Sequence, residues 1–268
     1  MTTVVNDKSW FRKRIIYEPR GRALEYAPLA VSLYHGCGHG CSYCYVPAAL
    51  KTDKDHFSKP YVRKDALLKL EKDASDLAAH NDKREILMSF TTDPYQPMEE
   101  KLGITRKAIE ILIKHNLHFT VLTKGGLLST RDFDLLEKHS YLCRYGTTLT
   151  FTDPKDRLKF EPDAAPTEHR KAALLMAYQR GIRTWVSIEP VIDPNQSLDL
   201  IKQTTNFVNE YRIGKLNHIQ ENEVNEQDTI KFVTEAKSVL DKSGNNYTFK
   251  KDLFPYLQKA GITRKGVE

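Results

Sequence analysis

The chain has 268 residues, 40% of them apolar, and a formal net charge of +6. That length builds one large domain or two small ones around a sizeable core. No apolar run approaches the roughly 20 residues that cross a bilayer, and the polar N-terminus lacks the apolar stretch of a secretory leader, so a cytoplasmic protein with no membrane partner is expected. The charge excess is mild: it permits a nucleic-acid partner without demanding one. Its early members, Arg12, Lys13, Arg14, Arg20 and Arg22, are clustered.

Residues 1–28 read as an irregular extension. Leu29 to Tyr34 reads as a first strand, and Asp65 to Ala79 as a helix with Leu67, Leu68, Leu70 and Leu77 on its apolar side. Ile86 to Phe90 is a buried strand, followed by a helix from Thr105 to His115. Phe119 to Leu122 is the next strand. Ser129 reads as the N-cap before a helix over Asp132 to Lys138. Tyr145 to Phe151 is a strand, Thr167 caps a strong helix, and Gly181 ends it. Thr184 to Ile188, a helix over Leu198 to Val208, a weaker strand from Arg212 to Leu216 and a helix from Asp228 to Asp241 complete the series.

The unit is thus strand then helix, about six times over. Such alternation predicts an α/β fold with a parallel sheet and right-handed crossovers. Six units are too few for a full eight-unit barrel, which leaves an open doubly wound sheet or an incomplete barrel. The domain plan is an extension over 1–28, a core over 29–243 and a tail over 244–268 that packs on the core and carries a last strand near Tyr247 to Lys251. In either architecture the site lies at the C-terminal ends of the strands.

Three of the four cysteines, Cys37, Cys41 and Cys44, fall within eight positions, in a loop after the first strand. A disulfide framework would spread and pair them; this crowding points to a metal or a cluster. Gly36, Gly38 and Gly40 allow tight turning and leave N–H groups open to cluster sulfides. Three thiolates leave one iron of a four-iron cluster without a protein ligand, free to bind a small molecule. The competing reading is a zinc ion held by the cysteines plus His35 or His39. That would suit a non-enzymatic, zinc- or cluster-containing nucleic-acid-binding protein.

Later strand ends carry polar groups. Thr91, Thr92 and Asp93 follow an apolar run. Lys124 ends a buried strand. Thr148 and Thr150 lie two apart, as do Ser187 and Glu189, so each pair should share a face. A carboxylate at Glu189 suits the ribose hydroxyls of a nucleoside cofactor. Lys215, Asn217 and His218 end the sixth strand, nearer a substrate. Cys143 reads as a core residue.

The Cys-x-x-x-Cys-x-x-Cys spacing with Tyr43 before the last cysteine resembles the signature of radical S-adenosylmethionine (radical SAM) enzymes. Residues Gly36 to Tyr45 are similar to the Gly-Cys-x-His-Gly-Cys-x-Tyr-Cys-Tyr pattern of the spore photoproduct lyase-like branch, with weaker resemblance from about Gly21 to Asn217. The resemblance implies a partial (β/α)6 TIM-type barrel and a [4Fe-4S] cluster on Cys37, Cys41 and Cys44. The free iron would chelate S-adenosylmethionine, and one-electron reduction would release a deoxyadenosyl radical that abstracts hydrogen from substrate. It implies cofactor contacts from Tyr43, Thr92, Thr148 and Lys124, the last on the cofactor's carboxylate, and an electron donor such as ferredoxin or flavodoxin. The branch's lyases return a hydrogen atom from a cysteine that here aligns with Phe90, which points away from photoproduct repair. Tyr43, Tyr45 and Tyr95 are the candidate hydrogen relays in its place.

Overall fold

The computed structural model describes residues 14–215 and 224–262, apart from the Arg22 side chain. Its strands are β1 (Ile16–Tyr17), β2 (Leu29–Val31), β3 (Tyr34–His35), β4 (Tyr61–Val62), β5 (Ile86–Met88), β6 (Phe119–Thr123), β7 (Cys143–Thr148), β8 (Arg183–Val191), β9 (Glu210–Lys215) and β10 (Asn246–Phe249). Apolar runs such as Ile86-Leu87-Met88 are buried on both faces, as parallel strands require.

The main sheet runs β1-β2-β5-β6-β7-β8-β9-β10. Every pair from β2 onward is parallel, and only β1 is antiparallel. Strand order follows chain order without reversal. A doubly wound sheet reverses direction midway, so the monotonic order selects the incomplete barrel. The tail adds β10 as a seventh parallel strand, at the place of the last strand expected near Tyr247 to Lys251.

Alternation along the strands separates two layers. Ile86, Met88, Phe119, Val121 and Tyr145 join the large core beneath the helices. That core also takes Leu70, Ala74 and Leu77 from the helix Ala66–Ala79, and Ala108, Ile109 and Leu112 from the helix Ile104–Lys114. Leu68 was expected on the apolar side but is 75% exposed, one position off the buried stripe. The inward residues are different. Trp185 is fully buried and donates through Nε1 to Thr120 Oγ1 at 2.8 Å. Arg144 and Arg212 flank its ring, and Glu210 binds both arginines. This charged and aromatic plug fills the lower barrel and leaves its upper mouth open.

Gly146 faces Trp185 across β7 and β8, and a Cβ there would collide with the indole. Gly146→Ala is therefore expected to cost about 1–3 kcal/mol through overpacking, read as a lowered urea midpoint with an unchanged m-value.

Several local expectations shift. Leu29 to Tyr34 is not one strand: Ser32 and Leu33 leave the sheet, and Tyr34–His35 pairs with Tyr61–Val62 in a separate hairpin. Ser129 is not an N-cap. It lies inside the 3-10 segment Gly126–Asp132, where its hydroxyl donates to Gly126 O and bonds the Tyr145 hydroxyl. Thr167 is the first residue of its helix rather than the cap, and its hydroxyl donates to Phe151 O at 2.7 Å. Within the expected irregular extension, Ile16–Tyr17 pairs with β2, and Asp73 fixes it by accepting from the Ile15 and Ile16 amides.

Candidate active site

The cysteine loop rises from β3 and is braced from below. Gly36 has φ +75, and a Cβ there would strike Phe57 O, the atom that accepts the Cys37 amide at 2.9 Å. Gly38 donates its N–H to Gln96 Oε1 at 2.9 Å, so that group is not open to a sulfide. Gln96 Nε2 donates to Thr92 Oγ1, whose hydroxyl donates in turn to Gly36 O at 2.5 Å. Thr92 thus holds the loop as well as lining the cavity. On the other side Ser42 N donates to Phe160 O at 2.9 Å and Asp163 N to His39 O at 3.2 Å.

Asp93 is the loop's anchor. It accepts from Thr123 Oγ1 (2.6 Å), Lys124 N (2.7 Å) and Tyr95 N (2.8 Å). His39 Nε2 lies 3.1 Å from its carboxylate, without the alignment of a hydrogen bond. Burial opposes the charge on Asp93, yet His39, the Thr123 hydroxyl and the Lys124 amide hold its carboxyl down at about 2. With His39 directed at Asp93, and His35 exposed with its ring tilted against Tyr61 at 5.2 Å, neither histidine completes a zinc set. Among the described residues no three His, Cys, Asp or Glu side chains converge as ligands of one ion do.

Cys37, Cys41 and Cys44 line one cavity of about 400 Å³ together with Thr92, Lys124, Thr148, Ser187 and Glu189. The three thiols do not close on a single point, and the strand-end groups share their cavity. That donor set fits a group of several atoms, soft on the thiol side and polar on the other. Burial pushes all three thiols up, Cys41 to about 12. They stay protonated near neutrality, so a metal or cluster held by them would displace protons.

A buried network lies behind the loop. Tyr43 donates its hydroxyl to Glu161, which also accepts from Thr150 Oγ1 at 3.2 Å. Glu161 pairs with Arg170 at 2.6 Å, and both side chains are fully buried. Arg170 further donates to Ala165 O (2.8 Å) and Thr148 O (3.1 Å). Burial opposes the Glu161 charge, but Arg170 and Lys124 hold its carboxyl down at about 2. Burial likewise opposes the charge on Lys124, which Cys41 and Glu161 nevertheless raise above the usual lysine value. Since burial keeps the Cys41 thiol protonated near neutrality, Glu161 is the effective counter-ion. Lys124 Nζ lies 5.6 Å from the Tyr43 ring centre.

At the opposite wall, Tyr26 donates to Glu189 and bonds Ser187 Oγ at 2.8 Å. Lys250 pairs with Glu189 at 2.5 Å and sits 3.7 Å above the Tyr26 ring. Gly214 leaves room for this pair, since a Cβ there would come within 2.9 Å of both side chains. Ser187 and Glu189 share a face as expected. Thr148 and Thr150 part: β7 ends at Thr148, and Thr150 turns to Glu161. Tyr43 and Tyr45 reach the cavity, whereas Tyr95 is buried with its hydroxyl on Asp132 and does not line it. Phe90 stands at the mouth, edge-on to Tyr26 at 5.9 Å. Lys215 also lines the mouth, its Nζ on Tyr256 at 3.0 Å. Asn217 and His218 lie outside the described residues. Cys143 is buried in the core.

Sequence reasoning missed Tyr26, Glu161, Arg170 and Lys250. Arg170 carried a signal: it sits on the apolar stripe Thr167, Arg170, Ala173, Leu174, Ala177, where a lone cation needs a buried partner. Lys250 carried none, because its contact is made across the sheet.

An incomplete parallel barrel with a three-thiol loop at its mouth defines the class of α/β core to which this chain's fold belongs. Residues 31–208 match the family described as the Radical SAM superfamily, and the chain belongs to it. Sequence relatives include an uncharacterised protein of Methanocaldococcus jannaschii, 28% identical over 71% of each chain. Another, from Acidianus two-tailed virus, is 24% identical over 67% of this chain and 61% of its own length. The fold is similar to spore photoproduct lyase complexed with dinucleoside spore photoproduct (TM-score 0.65, 14% identity, covering 87% of this chain and 80% of the other). It is equally similar to Streptococcus suis SuiB bound to S-adenosylmethionine (TM-score 0.65, 10% identity, 86% and 52%). Among the described residues no helix is long and apolar enough to cross a membrane.

Proposed function

We propose that this protein holds a [4Fe-4S] cluster on Cys37, Cys41 and Cys44 and cleaves S-adenosylmethionine reductively to abstract a hydrogen atom from a substrate. The observation that carries the reading is the shared cavity, which the three thiols line together with Lys124, Thr148, Ser187 and Glu189. When bound, the cluster supplies a site for the methionine amino and carboxylate groups and one electron for C–S cleavage.

The chain's own residues bind and orient. Lys124 offers a charged donor to the cofactor's carboxylate. Thr148 and Ser187 offer hydroxyls along the barrel mouth. Glu189 offers a carboxylate to ribose hydroxyls, held by Tyr26 and Lys250. Tyr43 is fixed by Glu161 and presents its ring beside Lys124. With Phe90 rather than a thiol at the mouth, we read the reaction as something other than spore photoproduct repair, with Tyr45, 41% exposed, as the hydrogen relay.

Nucleic acid is the proposed substrate class. It is supported by the exposed Arg20 and by Lys215, which line the same cavity as Phe90 and Tyr45, since cations and aromatic faces lining one cavity suit phosphates and unstacked bases. Anaerobic reconstitution followed by reduction should yield 5′-deoxyadenosine from S-adenosylmethionine; a fully loaded cluster that yields none refutes the reading. Oligonucleotide binding should weaken steeply with salt, and no binding at low salt would remove nucleic acid as substrate.

A further inference from the structure

We propose that Lys250, supplied by the tail next to β10, is the positioning residue that aims Glu189 at the ribose of the cofactor. The nucleoside end of the site is then completed by a strand lying beyond the family-matched residues 31–208. This rests on the reading of Glu189 as the ribose acceptor.

Alternation along the tail strand delivers the side chain. Phe249 packs into the core beneath the helices, so Lys250, one position on, turns to the inside of the barrel. The ladder continues far enough to fix it: Lys250 N donates to Ile213 O at 2.8 Å, and Lys250 O accepts from Leu253 N at 2.9 Å. The side chain lines the cavity yet is only 4% exposed. Lysine is almost never buried this deeply without a partner. Its one ion-pair partner among the described residues is Glu189.

Both supports of Glu189 use the same oxygen. Tyr26 donates its hydroxyl to Oε2, and Lys250 Nζ lies 2.5 Å from that atom. Lys250 also sits 3.7 Å from the Tyr26 ring centre, so the two supports brace each other. Tyr26 is fixed in turn through its backbone, where Arg212 donates to Tyr26 O. The other carboxylate oxygen, Oε1, is left over. It accepts from no described residue and is not sealed from solvent. Gly214 keeps it clear, since a Cβ there would come within 2.9 Å of Oε1. The last torsion of a glutamate is soft. Pinned by one oxygen, the carboxylate presents the other in one direction, as acceptance from a ribose hydroxyl requires; released, it swings and loses that orientation.

The test uses the full, reconstituted chain and two nucleosides, 5′-deoxyadenosine and 2′,5′-dideoxyadenosine. Both lack the methionine groups, and they differ only in the 2′-hydroxyl. By calorimetry the wild type should bind the first about tenfold more tightly, the worth of a hydrogen bond to a charged acceptor. Lys250→Met should cut that preference to about twofold or less by weakening the ribose form. Lys250→Arg keeps the charge and the ring contact and should restore most of the preference. Lys250→Gln, which removes the charge and keeps a donor, gives a second reading if the methionine variant folds poorly. Iron content and visible absorption should match the wild type throughout, because none of the contacts given for Lys250 is with the cysteine loop.

A wild type that does not bind or distinguish the two nucleosides overturns the inference together with the ribose reading of Glu189. A wild type that distinguishes them, beside charge-free variants that keep the full preference, overturns the inference alone. An equal loss for both nucleosides also overturns it, because a residue that only holds the fold would weaken the two alike. Failure to form deoxyadenosine from S-adenosylmethionine would sink only the reductive-cleavage reading, since the nucleoside preference is measured without turnover.

Discussion

Cys37→Ala, Cys41→Ala and Cys44→Ala are each expected to abolish the broad visible absorption of the reconstituted protein and to drop iron from about four atoms per chain toward none. Deoxyadenosine formation should fall by well over a hundredfold, since even groups that merely orient a metal ligand are worth ten- to a hundredfold. Stability of the iron-free chain should change little, because the three residues are partly exposed on a cavity wall rather than packed in the core. Cys143→Ala is the matched control. Its sulfur is buried and donates weakly to Leu136 O at 3.4 Å, so it should cost about 1 kcal/mol of stability and leave iron content intact. A pH dependence follows as well. Burial pushes the three thiols up, so iron capture releases protons and assembly should quicken as pH rises above neutrality. Full iron content in any one of the three ligand variants would remove that cysteine from the set.

The contrast between what the sequence revealed and what it hid follows the range of the interactions. Cys37, Cys41, Cys44 and their glycines are adjacent in sequence, and their chemistry depends on spacing alone, so the loop was legible. The strand–helix alternation was legible for the same reason, since periodicity is local. Strand order was not: the choice between doubly wound sheet and partial barrel depends on which edge each strand joins, and β10 joins β9 through residues 246–249 of a tail with a weak pattern. Paired hydroxyls illustrate the limit. Ser187 and Glu189 share a face because β8 continues to Val191, while Thr148 and Thr150 part because β7 stops between them. Period-two reasoning holds only as far as the strand runs. Tyr26 and Glu189 are 163 residues apart and Lys250 and Glu189 about 60, and nothing in the local sequence announces such contacts.

The second large effect is expected at the buried pair behind the loop. Arg170→Met leaves the Glu161 carboxylate fully buried without its main counter-ion, a loss that typically costs about 3–5 kcal/mol. For a chain of this size that corresponds to roughly 10 °C in Tm. Glu161→Gln should cost less than Arg170→Met, because the amide oxygen still accepts from Tyr43 and Thr150, and Arg170 keeps its bonds to Ala165 O and Thr148 O. The double variant should recover part of the combined loss, as a coupling energy requires. The sign of the pH effect identifies the cause. Glu161 is held at about 2, below its usual 4.5. A depressed carboxyl stabilises the folded state in full above 4.5 and loses that contribution as pH falls toward 2. The gap between wild type and Arg170→Met should therefore be widest above pH 4.5 and narrow toward pH 2, followed by urea unfolding at each pH. A gap that is constant across that range would mean that Arg170 acts by filling space. Its partner would then not need a charge, and the electrostatic account of how the Tyr43 side of the loop is held would fail.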